Sequence, residues 1–488
     1  MEGIYLSSAS YLLLVSLIVL IALAAVKKWT RKGKKYAPGP RPWPILGSLH
    51  LLAGYEVPYQ AFDHLSKLYG PIFKIRLGQT DSLVVSALDP IKEVLINKGE
   101  HFDGRPNFSR YTHIFGGKRD NSLAFCDWSD LQKARKEMIR DHTFPRAMSS
   151  KFFQLEAIVN RELEVIIKEM NKGVSNIKPL MLHACGNMFL SYFGGIKFQL
   201  GDFEYTEMLK NFDLVFYEVN QGYAADFMPW LIPLHYPNMA RTRKWGNKVR
   251  EFMIENVVKK GGEEGDLLHT LLQNVKNNQM SFDTAMFAFE DIVGGHSAVA
   301  NLIVKIIGFI AKYPWIQKTM QEEVDAVTCG KTITLQDRQT MPYTEAVILE
   351  CIRHISSPIV PHVASQDTNL NGYHIDKGTL IFLNNYTLNM SPELWKEPKE
   401  FNPERFITDQ GGLLKPEHFL PFGGGRRSCM GYKMTQYIAF ATLATLMQYY
   451  TITPQTDARV PLGDLALPYN PPLKFYLHPR VQKKTTPS

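Results

Sequence analysis

The sequence is short of cysteine. Its 488 residues hold five, Cys126, Cys185, Cys329, Cys351 and Cys429, far apart and never in a C-x-x-C pair. This argues against a disulfide framework and against zinc-finger spacing, and it fits a reducing compartment. One thiol can be chemically special while the others are simply buried. Dense Arg/Lys runs with interleaved aromatics are also missing from the body of the chain. The net charge of +8 therefore does not call for nucleic acid. It suits a membrane surface or an acidic protein partner. No G-x-G-x-x-G follows a strand-like run, so the chain carries no dinucleotide site of its own. No internal repeat or low-complexity stretch is visible.

Charge is absent from residues 3–26, and 11–26 is almost wholly apolar. A helix of that length can cross a hydrocarbon layer of ~30 Å. Lys27, Lys28, Arg31, Lys32, Lys34 and Lys35 follow, which leaves the remainder cytoplasmic by the positive-inside rule. A cleaved signal peptide carries its positive charge ahead of the apolar run, whereas the only early charge here is Glu2. Residues 1–27 thus read as a membrane anchor. Residues 28–50 read as a basic and Pro-rich hinge, stiffened by Pro38, Pro40, Pro42 and Pro44. Residues 51–488 form the folded body.

Periodicity makes that body mainly α with a small β-rich lobe near its front. Helices are expected over 55–69, over most of 128–327, over 345–354 and over 432–450. Short strands are expected at 72–77, 82–86 and 474–477, and β-like structure over 368–382. An exposed loop is expected at Gly261–Gly265.

Residues 421–431 read Pro-Phe-Gly-Gly-Gly-Arg-Arg-Ser-Cys-Met-Gly. Phe422, Gly425, Arg427, Cys429 and Gly431 fit F-x-x-G-x-R-x-C-x-G, which resembles the cysteine loop of the cytochrome P-450 family. A thiolate that ligates haem iron needs backbone N–H donors and shielding from water. Glycines let the backbone fold tightly beneath the sulfur, and an Arg can meet a haem propionate. The resemblance implies the cytochrome P-450 fold, haem b held through Cys429, and monooxygenase activity.

Further motifs extend that resemblance over nearly the whole chain, from the hinge to the last strand. Glu350-Cys-Ile-Arg353 matches the family's E-x-x-R, and Pro398-x-x-Phe401-x-Pro403-Glu404-Arg405-Phe406 follows in order. These imply a structural triad of Glu350, Arg353 and Arg405. His362 and Trp128 stand where the family contacts haem propionates. The Arg usually found four residues after that Trp is Gln132 here, with Lys133, Arg135 and Lys136 close by.

The expected central helix departs from the pattern. Where the family has Ala/Gly-Gly-x-Asp/Glu-Thr, this chain has Gly294-Gly295-His296-Ser297-Ala298. The acid–alcohol pair delivers protons for oxygen activation, and Ala298 has none to give. His296 or Ser297 with water could serve instead, a substrate hydroxyl could donate, or the chemistry differs from ordinary hydroxylation.

Residues 294–301, 356–364 and 128–132 together resemble the Spook-type subfamily, the arthropod Halloween group of steroidogenic enzymes. This implies a sterol substrate of the 7-dehydrocholesterol type in an early step of ecdysteroid synthesis. Phe287, Val293, Ile359, Val360, Leu467, Pro468 and Tyr469 become candidate pocket walls. The resemblance also implies an endoplasmic reticulum membrane location and electrons from NADPH through a flavoprotein cytochrome P-450 reductase, with cytochrome b5 as a further partner. Two other readings stand beside it: a reductase-independent haem-thiolate isomerase or dehydratase, and a non-catalytic haem protein that binds sterol.

Overall fold

The computed structural model describes Val15, residues 33–455, Val460 and residues 472–481. The expected anchor, Val15 apart, and the wall candidates Leu467, Pro468 and Tyr469 lie outside the described residues.

Helix starts follow local chemistry. Pro58 opens α1 (Pro58–Tyr69), where its missing N–H costs nothing. Ser129 caps α2 (Asp130–Thr143) by accepting from the Gln132 N–H, and Ser149 caps α3 (Ser150–Met170) in the same way. Next, α4 (Lys178–Gly194) stops at Gly195, whose backbone is left-handed. Asp202 caps α5 (Phe203–Asn220), and α6 (Ile232–Asn256) follows. Ser281 caps α7 (Phe282–Val293), and α8 (Gly295–Ile310) resumes after an interruption at Gly294. Prolines open α9 (Pro314–Thr328) and α10 (Pro342–Ile355). The last long helix is α11 (Tyr432–Tyr449), buried on nearly every face.

Together α7 and α8 are long and apolar enough to cross a membrane by length and composition. They instead run through the protein core, which they share with α4 and α11. Buried on all sides, such a helix has no polar face to keep.

The sheet is the main surprise. Strands β1 (Ile72–Leu77) and β2 (Thr80–Val85) pair antiparallel, as their sequence suggests. Residues 362–383 supply β3 (His362–Val363), β4 (Thr368–Leu370), β5 (Tyr373–Ile375) and β6 (Leu380–Leu383). The four-stranded order is β1-β2-β6-β3, with β6 parallel to β2. The lobe is thus shared between the front and the late part of the chain. A second hairpin joins β7 (Tyr450–Pro454) to β8 (Phe475–Pro479).

This sheet positions the site. His362 pairs with Ile381, and Val363 exchanges backbone hydrogen bonds with Gly104. Arg105 is thereby carried against the same wall as His362.

Candidate active site

A cavity of about 500 Å³ lies between α7–α8 and the loop preceding α11. Cys429, Phe422, Arg427 and Gly431 line one side, and Gly294, Gly295 and Ala298 line another. The loop is tight. Gly425 has φ +61°, and a Cβ there would lie 1.9 Å from the Leu95 carbonyl oxygen. Only glycine fits that approach. The Cys429 N–H donates to the Phe422 carbonyl at 3.0 Å.

Burial pushes the Cys429 thiol up, while a backbone N–H from Gly431 and the Lys136 ammonium oppose the rise. Its exposed sulfur side opens into the cavity that it lines, so desolvation and accessibility coexist. A bound cation is what would turn such a thiol into a thiolate.

Three further cations line the cavity: Arg105, Lys136 and Arg427. Arg105 donates to the carbonyls of Ala124, Val360 and Pro361. Lys136 donates to the Arg426 carbonyl at 2.6 Å, and Arg427 to those of Asp103 and Cys126. Burial, and then mutual repulsion with Arg427, lower Arg105 to about 9 and Lys136 to about 8. Burial also lowers Arg427. Desolvated cations held by neutral carbonyls call for an anionic partner. A porphyrin with two propionates and an iron that takes a thiolate fits this donor set.

His362 lines the same wall and hydrogen-bonds the Phe102 carbonyl through Nδ1 at 2.7 Å. Burial and the neighbouring Arg105 hold it well below the usual imidazole range. Its Nε2 is the nitrogen left to meet the cavity.

Other expected residues sit differently. Trp128 does not line the cavity. Its ring lies beneath Arg426, Arg427 and Lys136, with the cations 5.3–5.9 Å from its centroid, so it braces these cations. Gln132 lines the cavity, but its Nε2 donates to the Leu123 carbonyl at 2.6 Å. Its buried Oε1 has no donor, so it offers an acceptor where the family has a cation. Lys133 is exposed, and Arg135 is turned to the carbonyls of Asp120 and Asn121.

The expected relay residues are divided by helix periodicity. Gly294, Ala298 and Leu302 follow at four-residue steps and share the cavity face. Ser297 and Asn301 share another face. Ser297 donates to Asp213 of α5 at 2.6 Å, and Asn301 donates to the same oxygen at 2.7 Å. His296 is fully buried, bonded to the Val293 carbonyl, with its ring edge against Phe212. Neither His296 nor Ser297 lines the cavity, whereas Ala298 does. At Gly294 a Cβ would meet Phe212 at 2.8 Å. The glycine lets α5 press close, and the Ser297 N–H reaches back to the Gly294 carbonyl.

Among the wall candidates, Phe287, Ile359 and Val360 line the cavity. Val293 does not; it is packed into the core on the opposite side of α7. Away from the cavity, Arg353 clasps Glu350 with two bonds of 2.7 and 2.8 Å, and Arg405 reaches it at 3.4 Å. Arg353 also donates to the carbonyls of Asn389 and Pro398. This buried unit ties α10 to the segment that leads into the cysteine loop.

A family model described as Cytochrome P450 matches residues 37–477. The chain belongs to the cytochrome P450 family. Its cysteine loop, split central helix and buried Glu–Arg unit are a P450 framework, and the enzyme is a P450 monooxygenase. It is 38% identical to Cytochrome P450 307a1 of Drosophila melanogaster, over 91% of this chain and 88% of that protein. It is 32% identical to human Cytochrome P450 1A1, over 93% of each chain. Identity to Cytochrome P450 1A2 of Macaca fuscata fuscata is 31%, over 93% of this chain and 92% of the relative.

Sequence reasoning missed much of the apolar lining, Phe115 and Phe212 among it, and the charged residues Arg105, Glu290 and Asp291. Arg105 sits in an irregular segment with no periodic signal. Asp291 lines the cavity from α7. Its signal was available: Glu290 and Asp291 are adjacent acids in the otherwise apolar stretch from Ala285 to Val293.

Proposed function

We propose that this P450 is a membrane-bound haem-thiolate monooxygenase that oxidises a sterol of the 7-dehydrocholesterol type in an early step of ecdysteroid synthesis. Residues 1–27 anchor it to the endoplasmic reticulum membrane, 28–50 form the hinge, and 51–488 make up the cytoplasmic catalytic domain. Electrons reach it from NADPH through a flavoprotein reductase, with cytochrome b5 as an accessory donor. The carrying observation is that Cys429 and the helix residues Gly294, Gly295 and Ala298 line one largely apolar cavity. Haem ligated there supplies oxygen activation, and the thiolate increases electron density at the metal.

The chain's own residues perform the remaining tasks. Arg105, Lys136 and Arg427 would hold the propionates, and His362, whose Nδ1–H is committed to the Phe102 carbonyl, would donate to one through Nε2 only as imidazolium, a form that the propionate charge favours. Phe422 and the glycine loop keep water from the sulfur. Phe287, Ile359 and Val360 shape the apolar volume. The higher identity to the Drosophila 307a1 relative than to the mammalian 1A relatives supports the Spook-type reading and hence the sterol class.

Ala298 favours a second reading. With no side-chain proton donor at that point of the cavity face, a reductase-independent isomerase or dehydratase is the competing chemistry. Incubation with 7-dehydrocholesterol, with and without reductase and NADPH, followed by product mass spectrometry, decides between them. An oxygenated product that requires both additions is expected. Product formed without them overturns the monooxygenase reading for this substrate.

A further inference from the structure

One carboxyl group in the cavity has no part in the account so far. Asp291 accepts from the Leu123 N–H at 2.6 Å and the Ser122 hydroxyl at 3.0 Å, both at Oδ2. The Ala124 N–H also helps to hold it. A carboxylate has about four acceptor positions, so capacity remains. Asp291 is only half-buried, although it lies on a core helix, and it lines the cavity. Its accessible surface therefore faces the interior space.

Beyond these donors and the Arg135 guanidinium, which favours the charged carboxylate, the surroundings are apolar. Phe287 is one helical turn away on the same face, packed with Phe115 at 5.8 Å. Phe125 and Val360 belong to the same cluster. The adjacent acid, Glu290, is already paired with Arg250 at 3.1 Å, so it does not compete for the same role. Ala298 lies seven residues further along, roughly 10 Å at the helical rise. Burial pushes Asp291 up to about 6, as expected for an acid inside an oily wall. An acceptor there offers its strongest hydrogen bond to a ligand O–H that has also left water.

We propose that Asp291 is a substrate-binding residue that anchors a hydroxyl group of an otherwise apolar ligand. This rests on the sterol reading above and deepens it: the hydroxyl is the 3-hydroxyl of the sterol. The anchor orients the ring system along α7, with the opposite end towards Ala298 and Cys429.

The test is equilibrium dialysis of the haem-loaded, full-length enzyme in detergent against labelled 7-dehydrocholesterol and its 3-deoxy analogue. Wild type is expected to bind the hydroxylated sterol at least tenfold more tightly. Asp291→Ala should bring the ratio below threefold and leave the affinity for the deoxy analogue within threefold of wild type. Asp291→Asn keeps an acceptor for Leu123 and should fall between. Equal loss of both ligands in Asp291→Ala means that the residue only shapes the wall, which overturns the anchor. Should Asp291→Ala fail to hold haem, Asp291→Asn decides, and an unchanged ratio overturns the proposal. A wild-type ratio below threefold also overturns it but leaves the sterol reading standing. If neither sterol binds wild type, the sterol reading itself falls, and the anchor's ligand with it.

Discussion

The hydroxyl of Ser297 donates to Asp213 at 2.6 Å, across the contact between α8 and α5. Lys178 meets the other oxygen of Asp213 at 2.7 Å, so α4 joins the same knot. The position where the family carries its acid has become a tether between helices, with the carboxylate supplied from α5. Ser297→Ala removes a hydrogen bond to a charged group, worth about 1.5–3 kcal/mol and partly offset by Asn301 and Lys178. A fall in Tm with unchanged product formed per NADPH is expected. A fall in that coupling ratio would restore Ser297 to the relay.

Ala298 does face the cavity, which makes it the informative place to restore a proton donor. Ala298→Thr should raise product formed per NADPH consumed if the relay is merely weakened. No change, or loss of activity, would favour a route in which the substrate supplies the proton.

Glu350 and Arg353 are fully buried and mutually satisfied. Removing either leaves a stranded charge. Glu350→Ala or Arg353→Ala should cost about 3–5 kcal/mol. The expected readout is loss of haem-containing protein at normal growth temperature, with Cys429 itself intact.

Gly425 has no room for a methyl group. Gly425→Ala forces a left-handed backbone on alanine and drives its Cβ into the Leu95 carbonyl, a strain of about 1–3 kcal/mol or more. The reduced carbon monoxide difference spectrum should lose its thiolate band, as it should in Cys429→Ser.

Asp291 binds its proton more tightly in the folded chain than in the unfolded one, because burial raises its pKa from 3.8 to about 6. The resulting stabilisation is complete below about pH 4 and is lost as pH rises through about 6. A rise of that size bounds the effect at about 3 kcal/mol. Wild type should therefore lose Tm relative to Asp291→Asn between pH 4 and 7. Parallel profiles would show that the carboxyl is not desolvated.

Much of this architecture could be read along the chain. Pro58, Ser129 and Ser281 mark helix starts locally, and the cysteine loop announces itself because ligand, glycines and cation lie within a few residues. Contacts made across space were not legible. Nothing near Arg105 in sequence says that a β-bridge from Gly104 to Val363 will carry it to the cavity. The side of the helix to which His296 and Ser297 point depends on where α5 packs, and Asp213 is remote in sequence. Val293 is expected as a wall residue from the resemblance, yet helix rotation turns it into the core. Trp128 keeps its place in the motif, but the neighbouring cations gather on its ring.

The parallel pairing of β2 with β6 has a consequence for how the chain is made. Val84 and Val85 acquire their neighbours Phe382 and Leu383 only after most of the polypeptide has been synthesised. Until then the first hairpin carries an open edge able to pair with another molecule. A product that ends before Leu380 would keep that edge permanently, so premature termination should yield aggregates rather than a smaller working domain.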